Sequence, residues 1–391
     1  METRLVGVQD LNSDDLERWS ALAERAVEPN PFFEPDFLDL AARHFDGFAR
    51  TRLLIASEDS AWRAMVPVVG VGHPKIPPRR SGMTNGFPTM ISGLSTPLVD
   101  RDHVEEATGA LLDGLRREAQ GGGLPGILFL QRVDEQGPVA AALRRASAVR
   151  GMPVFSKESW ERGLVTRTGH WEQPVSKERR RQNARRRRML ERDAELEVSL
   201  VDRTHDPAAA EEFLKMEASG WKGEGTGTAM AREPAKIAWF HEWVDSWTRA
   251  GRVTLLAVNV GDTSIAMQYF LRAGEGMFLF RTAYDADYAK YGPGALMLEY
   301  GMAAQFEQSD ATWLDSNTDP DNGFLLEMLP ERRTIATLLI GTGGAVDRTA
   351  VSTMPIMTRG VAELRRVRLG LSRLRHSGSS SAGDHAPEGS G

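Results

Sequence analysis

Residues 253–315 read VTLLAVNVGDTSIAMQYFLRAGEGMFLFRTAYDADYAKYGPGALMLEYGMAAQFEQSDATWLD, and how this stretch folds decides the architecture of the chain. The runs Val253–Val260, Ile265–Arg272 and Met277–Ala283 have strand character. They are broken at Val260-Gly261-Asp262 and Ala273-Gly274-Glu275-Gly276, which is turn chemistry. Gly292-Pro293-Gly294 then opens a helix reaching Gln308, since proline suits a first helical turn. Ala311–Asp315 returns to strand. The order implies three antiparallel strands, a helix, and a strand parallel to the last of them.

Outward toward the N-terminus the same order appears a first time. Apolar positions at helical spacing predict helices over Leu16–Ala26 and Pro35–His44, and a hairpin of Thr51–Ser57 and Trp62–Val71 turns about Glu58–Ser60. A Pro- and Gly-rich loop from His73 to Ser95 precedes helix Val104–Ala119, strand Gly126–Val133, helix Pro138–Val149 and a strand from Met152 to about Ser156. Thr166–Pro174 is the expected boundary, and helices Ala208–Ser219 and Pro234–Ala250 lead into the stretch quoted above. A last strand is expected near Thr334–Gly341. The chain is thus read as α/β (α+β), with two tandem mixed sheets flanked by helices. The units are 1–165, 175–375 and a disordered Ser- and Gly-rich tail at 376–391.

At 391 residues the chain suits two domains, and 41% hydrophobic with 26% charged residues is an ordinary globular composition. The absence of Cys excludes a disulfide framework, a thiolate nucleophile and Cys-ligated metal sites. No His-x-x-x-His pair, Gly-x-Ser-x-Gly elbow or phosphate-binding Gly-x-x-x-x-Gly-Lys-Ser/Thr loop occurs, and no metal is expected. The N-terminal METRLVGVQDLNSDDLERW lacks a signal-peptide core, and no apolar run is long enough to span a bilayer, so a cytoplasmic location is expected. A net charge of -6 argues against general nucleic-acid affinity.

Four segments carry a resemblance. Asn30-Pro31-Phe32-Phe33 with Pro35-Asp36-Phe37-Leu38, the basic helix from Lys177, Glu217-Ala218-Ser219-Gly220-Trp221-Lys222-Gly223, and Thr282-Ala283-Tyr284-Asp285 running to Tyr291-Gly292-Pro293-Gly294 together resemble the double-domain, GNAT-like acetyltransferases related to CelD proteins of cellulose biosynthesis. These are distant relatives of the Fem aminoacyltransferases. The resemblance spans nearly the whole chain. It implies two acetyltransferase-like domains, the first degenerate, and acyl transfer from acyl-CoA to an amine. One departure is local: Asp315-Ser316-Asn317 leads into Leu329-Pro330-Glu331-Arg332-Arg333, where a Tyr-Lys pair is the family's pattern.

Acyl transfer from a thioester needs a grip on the donor's pyrophosphate and a group that moves the amine's proton. A helix N-terminus binds anions through free N–H groups and its positive dipole end. Tyr291, Gly292, Gly294 and Ala295 are the candidate donor contacts, although Ala289 replaces the usual Gln or Arg and a Gly-Pro-Gly helix start also occurs with no ligand. Tyr284 and Asp315 follow the ends of the strands flanking that helix, where open α/β sheets bind ligands. Asp315 is the candidate base and Tyr284 the candidate acid, with a helix cap and a packing residue as the plainer alternatives.

Trp221 and Lys222 stand before a Gly-rich segment, Lys222 as a possible phosphate partner and Trp221, with Gln268, Arg281 and Asn317, as candidate substrate contacts. Eight of the twelve residues Lys177–Arg188 are basic, and acidic residues follow, which opposes the helix dipole. Arg186 is the candidate donor contact there; an RNA backbone, acids of the neighbouring domain or a solvated face are alternatives. The functional expectation is an acyl-CoA-dependent N-acyltransferase. The rivals are an aminoacyl-tRNA-dependent Fem-type transferase and a non-catalytic binding protein of the same fold.

Overall fold

The computed structural model describes residues 1–356 except 49, 73–81, 87–91, 169–170, 173, 221–222, 224–227 and 320–322. The tail expected at 376–391 lies outside the described residues, as do Trp221 and Lys222.

The first half contains β1 (Glu2–Gly7), α1 (Ser13–Glu24), α2 (Pro35–His44), β2 (Arg52–Glu58), β3 (Ala61–Gly72), β4 (Gly82–Gly86), β5 (Leu98–Val99), α3 (Val104–Gly121), β6 (Ile127–Asp134), α4 (Pro138–Val149) and β7 (Val154–Thr166). The second contains α5 (Lys177–Ala194), β8 (Val198–Asp202), α6 (Ala209–Ser219), α7 (Pro234–Arg249), β9 (Val253–Val260), β10 (Thr263–Ala273), β11 (Gly276–Tyr284), α8 (Pro293–Gln308), β12 (Trp313–Asp315), α9 (Gly323–Met328) and β13 (Glu331–Gly341). A further helix covers 345–356. In each half an antiparallel series ends in a parallel pair joined through a helix: β4 with β6 across α3, and β11 with β12 across α8.

Several strands differ from the sequence reading. β1 and β8 are added edge strands, and β4 forms inside the stretch read as a loop. β7 continues from Val154 to Thr166, well past Ser156 and up to the expected boundary. β13 does not close the second half but lies between β6 and β7 of the first, antiparallel to both. β7 in turn pairs through Leu164–Thr166 with β12, so all strands of the described residues belong to one thirteen-stranded sheet. Pairing partners so distant along the chain leave no trace in local periodicity.

The same interleaving runs through the core. Trp239, Trp243 and Trp247 recur every four residues on α7 and therefore share one face. Phe37 of α2 meets all three edge-on, with centroids 5.2, 6.1 and 6.3 Å away. Truncating such an aromatic costs about 3–5 kcal/mol. The other face of the second-half sheet is covered by α8, whose Leu296, Met297 and Met302 pack on Val258, Ile265 and Phe270.

Candidate functional site

The site begins with a strand that outruns its partner. β11 pairs with β12 only over Gly276–Phe278 against Trp313–Asp315, yet it continues to Tyr284. A gap therefore opens beyond Phe278, at the C-terminal ends of the parallel strands, where a ligand can reach unpaired backbone. Next to it the β10–β11 register slips between Tyr269 and Phe270, leaving Phe280 as the extra residue of a bulge. Gln268 fills that bulge, fully buried. Its amide donates to the carbonyls of Tyr269 (2.8 Å) and Arg281 (3.0 Å) and accepts from the Thr282 hydroxyl, so its polar atoms are spent on the strand.

The N-terminus of α8 faces the same end of the sheet. Gly292 is left-handed (φ 64°), a conformation that favours glycine, and its carbonyl accepts from Ala295 N–H (3.0 Å) and Leu296 N–H (3.2 Å). Pro293 has no N–H. The open donor of the turn is therefore Gly294 N–H, and a Cβ built at Gly294 would meet only the Tyr284 ring, at 3.7 Å. Tyr284 is half-buried, and its hydroxyl has no protein partner among the described residues.

Arg186 of α5 completes this corner. Its guanidinium lies against Gly292, where a Cβ would come within 2.7 Å of Nη1. No carboxylate partners it among the described residues, in contrast to Arg187, paired with Glu191 at 2.8 Å, and Arg179, paired with Glu327 at 2.6 Å. Sequence reasoning missed what aims α5: Asn183, buried amid the arginines, donates to Glu299 Oε2 (2.6 Å) and to the Ala295 carbonyl (3.3 Å). Its only sequence signal is an uncharged amide inside a basic run. Tyr291 adds a tether, since its hydroxyl donates to Asp193 Oδ2 at 3.0 Å; with Arg192 foremost and Tyr291 second, these hydrogen bonds hold the Asp193 carboxyl below its ordinary range.

Asp315 sits apart from this corner, fully buried at the junction of the halves. Oδ2 accepts from Arg333 Nη1 (2.9 Å), Oδ1 accepts from Asn317 N–H (2.6 Å), and Arg162 Nη1 stands 3.6 Å away. Arg162 is itself fully buried and donates to the carbonyls of Gly93 (3.0 Å) and Thr318 (3.1 Å), so one guanidinium staples both halves to the end of β12. Asn317 is left-handed (φ 51°) and its amide covers Gly93, which leaves no room for a Cβ there. Arg281 is similarly engaged: it pairs with buried Glu217 at 2.9 Å, and Glu217 Oε2 accepts Met230 N–H at 2.8 Å, tying α6 and the chain at 228–230 to β11. Thus the structure brings Arg186, Gly292, Gly294, Ala295 and Tyr284 together, while Gln268, Arg281, Asp315 and Asn317 brace the strands beside them.

With this geometry in place, residues 177–322, within the second half, match the family model of the acetyltransferase (GNAT) domain. The whole chain is similar in fold to FemX, at 10% identity over 87% of this chain and 97% of that one, with a TM-score of 0.56. It is similar also to a conserved protein of unknown function from Bacteroides thetaiotaomicron (12% identity, 85% and 98% covered, TM-score 0.54). A third likeness is to the C-terminal domain of a putative lysylphosphatidylglycerol synthetase from Agrobacterium fabrum (14% identity, 89% and 98% covered, TM-score 0.52). At such identities the likeness is one of fold. No curated protein matches in sequence. Among the described residues no helix is long and apolar enough to cross a membrane.

Proposed function

We propose that the protein is an acyl-CoA-dependent N-acyltransferase that binds its donor at the start of α8. The observation carrying this is the pairing of the Arg186 guanidinium with the Gly294 N–H at the positive end of a helix, neither of which has a protein partner among the described residues. Both attract a diphosphate, and the glycines let it approach. The acyl-pantetheine arm then lies in the gap beside β11, and the amine arrives from the cleft between the halves. Attack of the neutral amine on the thioester carbonyl forms the C–N bond and breaks C–S. The Tyr284 hydroxyl gives its proton to the departing thiolate, and the proton lost by the amine nitrogen passes to the resulting phenolate, which restores the hydroxyl. Asp315, its oxygens taken by arginines and Asn317, serves as a positioning residue that fixes the end of β12. A CoA thioester donor places the reaction in the cytoplasm. No metal step is involved in this proposal.

A second reading, transfer from aminoacyl-tRNA, is favoured by Arg181, Arg185 and Arg188. They are exposed, recur along one face of α5, and have no carboxylate partners among the described residues. Calorimetric titration of the full chain with acetyl-CoA and with tRNA at two salt concentrations decides between them. Stoichiometric acetyl-CoA binding that Arg186→Met weakens supports the first reading. Salt-steep tRNA binding without acetyl-CoA binding replaces it with the second.

A further inference from the structure

The three most exposed large apolar side chains among the described residues are Val149 (86%), Val346 (80%) and Ile356 (73%). Scattered singly they would need no explanation, but they gather around one groove of about 570 Å³. One wall of the groove is the chain at 151–153, two residues beyond Val149. The other is the helix at 345–356, which presents Ala345, Arg348, Thr349 and Ser352 to it. Helical spacing puts Ile356 on that same face and Val346 at its border. The opposite face of this helix is already used, since Val351 and Met354 pack on Phe129 and Leu339.

Arg348 is the only charged residue lining the groove, and it has no carboxylate partner among the described residues. Next to the first wall Arg150 is held by Asp113 at 2.8 Å, and Asp347 turns to the helix start, where it accepts Gly344 N–H at 3.0 Å. The groove thus offers apolar surface and one cation. Residues 357–391 continue directly from Ile356 and lie outside the described residues. In their sequence Val361, Leu364, Val367, Leu371 and Leu374 recur every three or four residues, the pattern of a segment with one apolar side. From Met357 to Arg375 there are six arginines and a single acid, Glu363, in a chain whose net charge is -6, so the rest of the chain attracts this segment. We propose that the chain's own residues 357–368 occupy the groove, with Val361, Leu364 and Val367 covering Val149, Val346 and Ile356, and Glu363 paired with Arg348.

Limited trypsin digestion of the full chain, read by mass spectrometry, tests this without any acyl donor, so the outcome is independent of the α8 site. A docked site is cut only when it opens, so cleavage after Arg365 and Arg366 should be at least about tenfold slower than after Arg373 and Arg375. Val346→Asp changes an exposed side chain and should keep the wild-type circular dichroism while abolishing that protection. Arg348→Glu should speed cleavage at the inner sites, and Arg348→Glu combined with Glu363→Lys should slow it again. Equal rates at inner and outer sites in the wild type, or protection that neither Val346→Asp nor Arg348→Glu changes, would overturn the proposal. Protection that grows with protein concentration would also overturn it, in favour of a second copy's segment. Protection that appears only with phosphatidylglycerol vesicles would overturn it in favour of a membrane surface.

Discussion

Helices α4 and α8 begin with the same pair of residues, Gly137-Pro138 and Gly292-Pro293, and their first turns are filled differently. In α4 the N–H after proline, that of Val139, donates to Glu28 Oε1 at 2.6 Å, so a carboxylate from the same chain occupies the positive helix end. In α8 the corresponding N–H belongs to Gly294 and has no acceptor among the described residues, and a cation, Arg186, stands where α4 has a carboxyl group. The first half thus shows that a Gly-Pro helix start takes a carboxyl oxygen when one is offered; the second half leaves that place open among the described residues. Helix α3, which matches α8 in strand order, extends the contrast. Its first turn carries Glu105 and Glu106, charges that satisfy the dipole and repel a phosphate.

If the two halves are one folding unit despite this difference, the largest effect belongs to their shared staple. Arg162→Met should destabilise the protein by about 3–5 kcal/mol, because it removes a fully buried cation from Asp315 and strips Gly93 and Thr318 of a donor. Denaturant unfolding followed by tryptophan fluorescence and by far-UV dichroism should still show one transition. Two separated transitions would mean that the interleaved β7 and β13 do not couple the halves.

A smaller effect tests the filled helix end. Burial first, and then Asp134, push the Glu28 carboxyl from 4.5 up to about 7, against the Val139 hydrogen bond and Arg333. The folded protein therefore holds a proton that the unfolded chain releases above pH 4.5. The stability so gained is complete below that value and lost as pH rises through about 7. Glu28→Gln keeps an acceptor for Val139 and cannot ionise. It should be more stable than the wild type by about 1–2 kcal/mol at pH 8, discounted because the side chain is only half-buried, and nearly equal at pH 4. A pH-independent difference would remove Glu28 from the comparison.

Smaller again is the loss of one charge at the open end. Arg186→Met should raise the dissociation constant for CoA about tenfold, or about 1.4 kcal/mol, with little change in melting temperature, since no carboxylate loses its partner. Glu105→Gln with Glu106→Gln is the control and should leave CoA affinity unchanged. A fall in melting temperature with unaltered affinity would make Arg186 structural.

The helix start at Gly292 and the strands before it were legible because turn residues and apolar periodicity are local signals. The proximity of Arg186 to Gly292 was not, since it depends on Asn183 clamping α5 onto α8 across more than a hundred residues. Polar residues in apolar strands misdirect for a physical reason. Gln268 and Arg281 stand out in sequence as ligand contacts, yet a bulge and a buried carboxylate need such partners just as much. Asp315 is conspicuous at its strand end, but its arginines come from β7 and β13, whose insertion beside β12 is a matter of topology alone.

The central claim, that the first turn of α8 receives the donor's diphosphate, is tested most directly by calorimetric titration of CoA into wild type, Gly294→Ala and Gly294→Val. The position has no left-handed φ, and a Cβ there meets nothing closer than 3.7 Å, so Gly294→Ala should keep full stability and Gly294→Val should lose only about 0.5 kcal/mol. The valine's further atoms stand between a phosphate and the N–H. The predicted result is a dissociation constant raised about 10- to 100-fold in Gly294→Val, roughly 1.4–2.8 kcal/mol, with the alanine variant between. Wild-type CoA affinity in a folded Gly294→Val protein would contradict the account and move the donor away from α8.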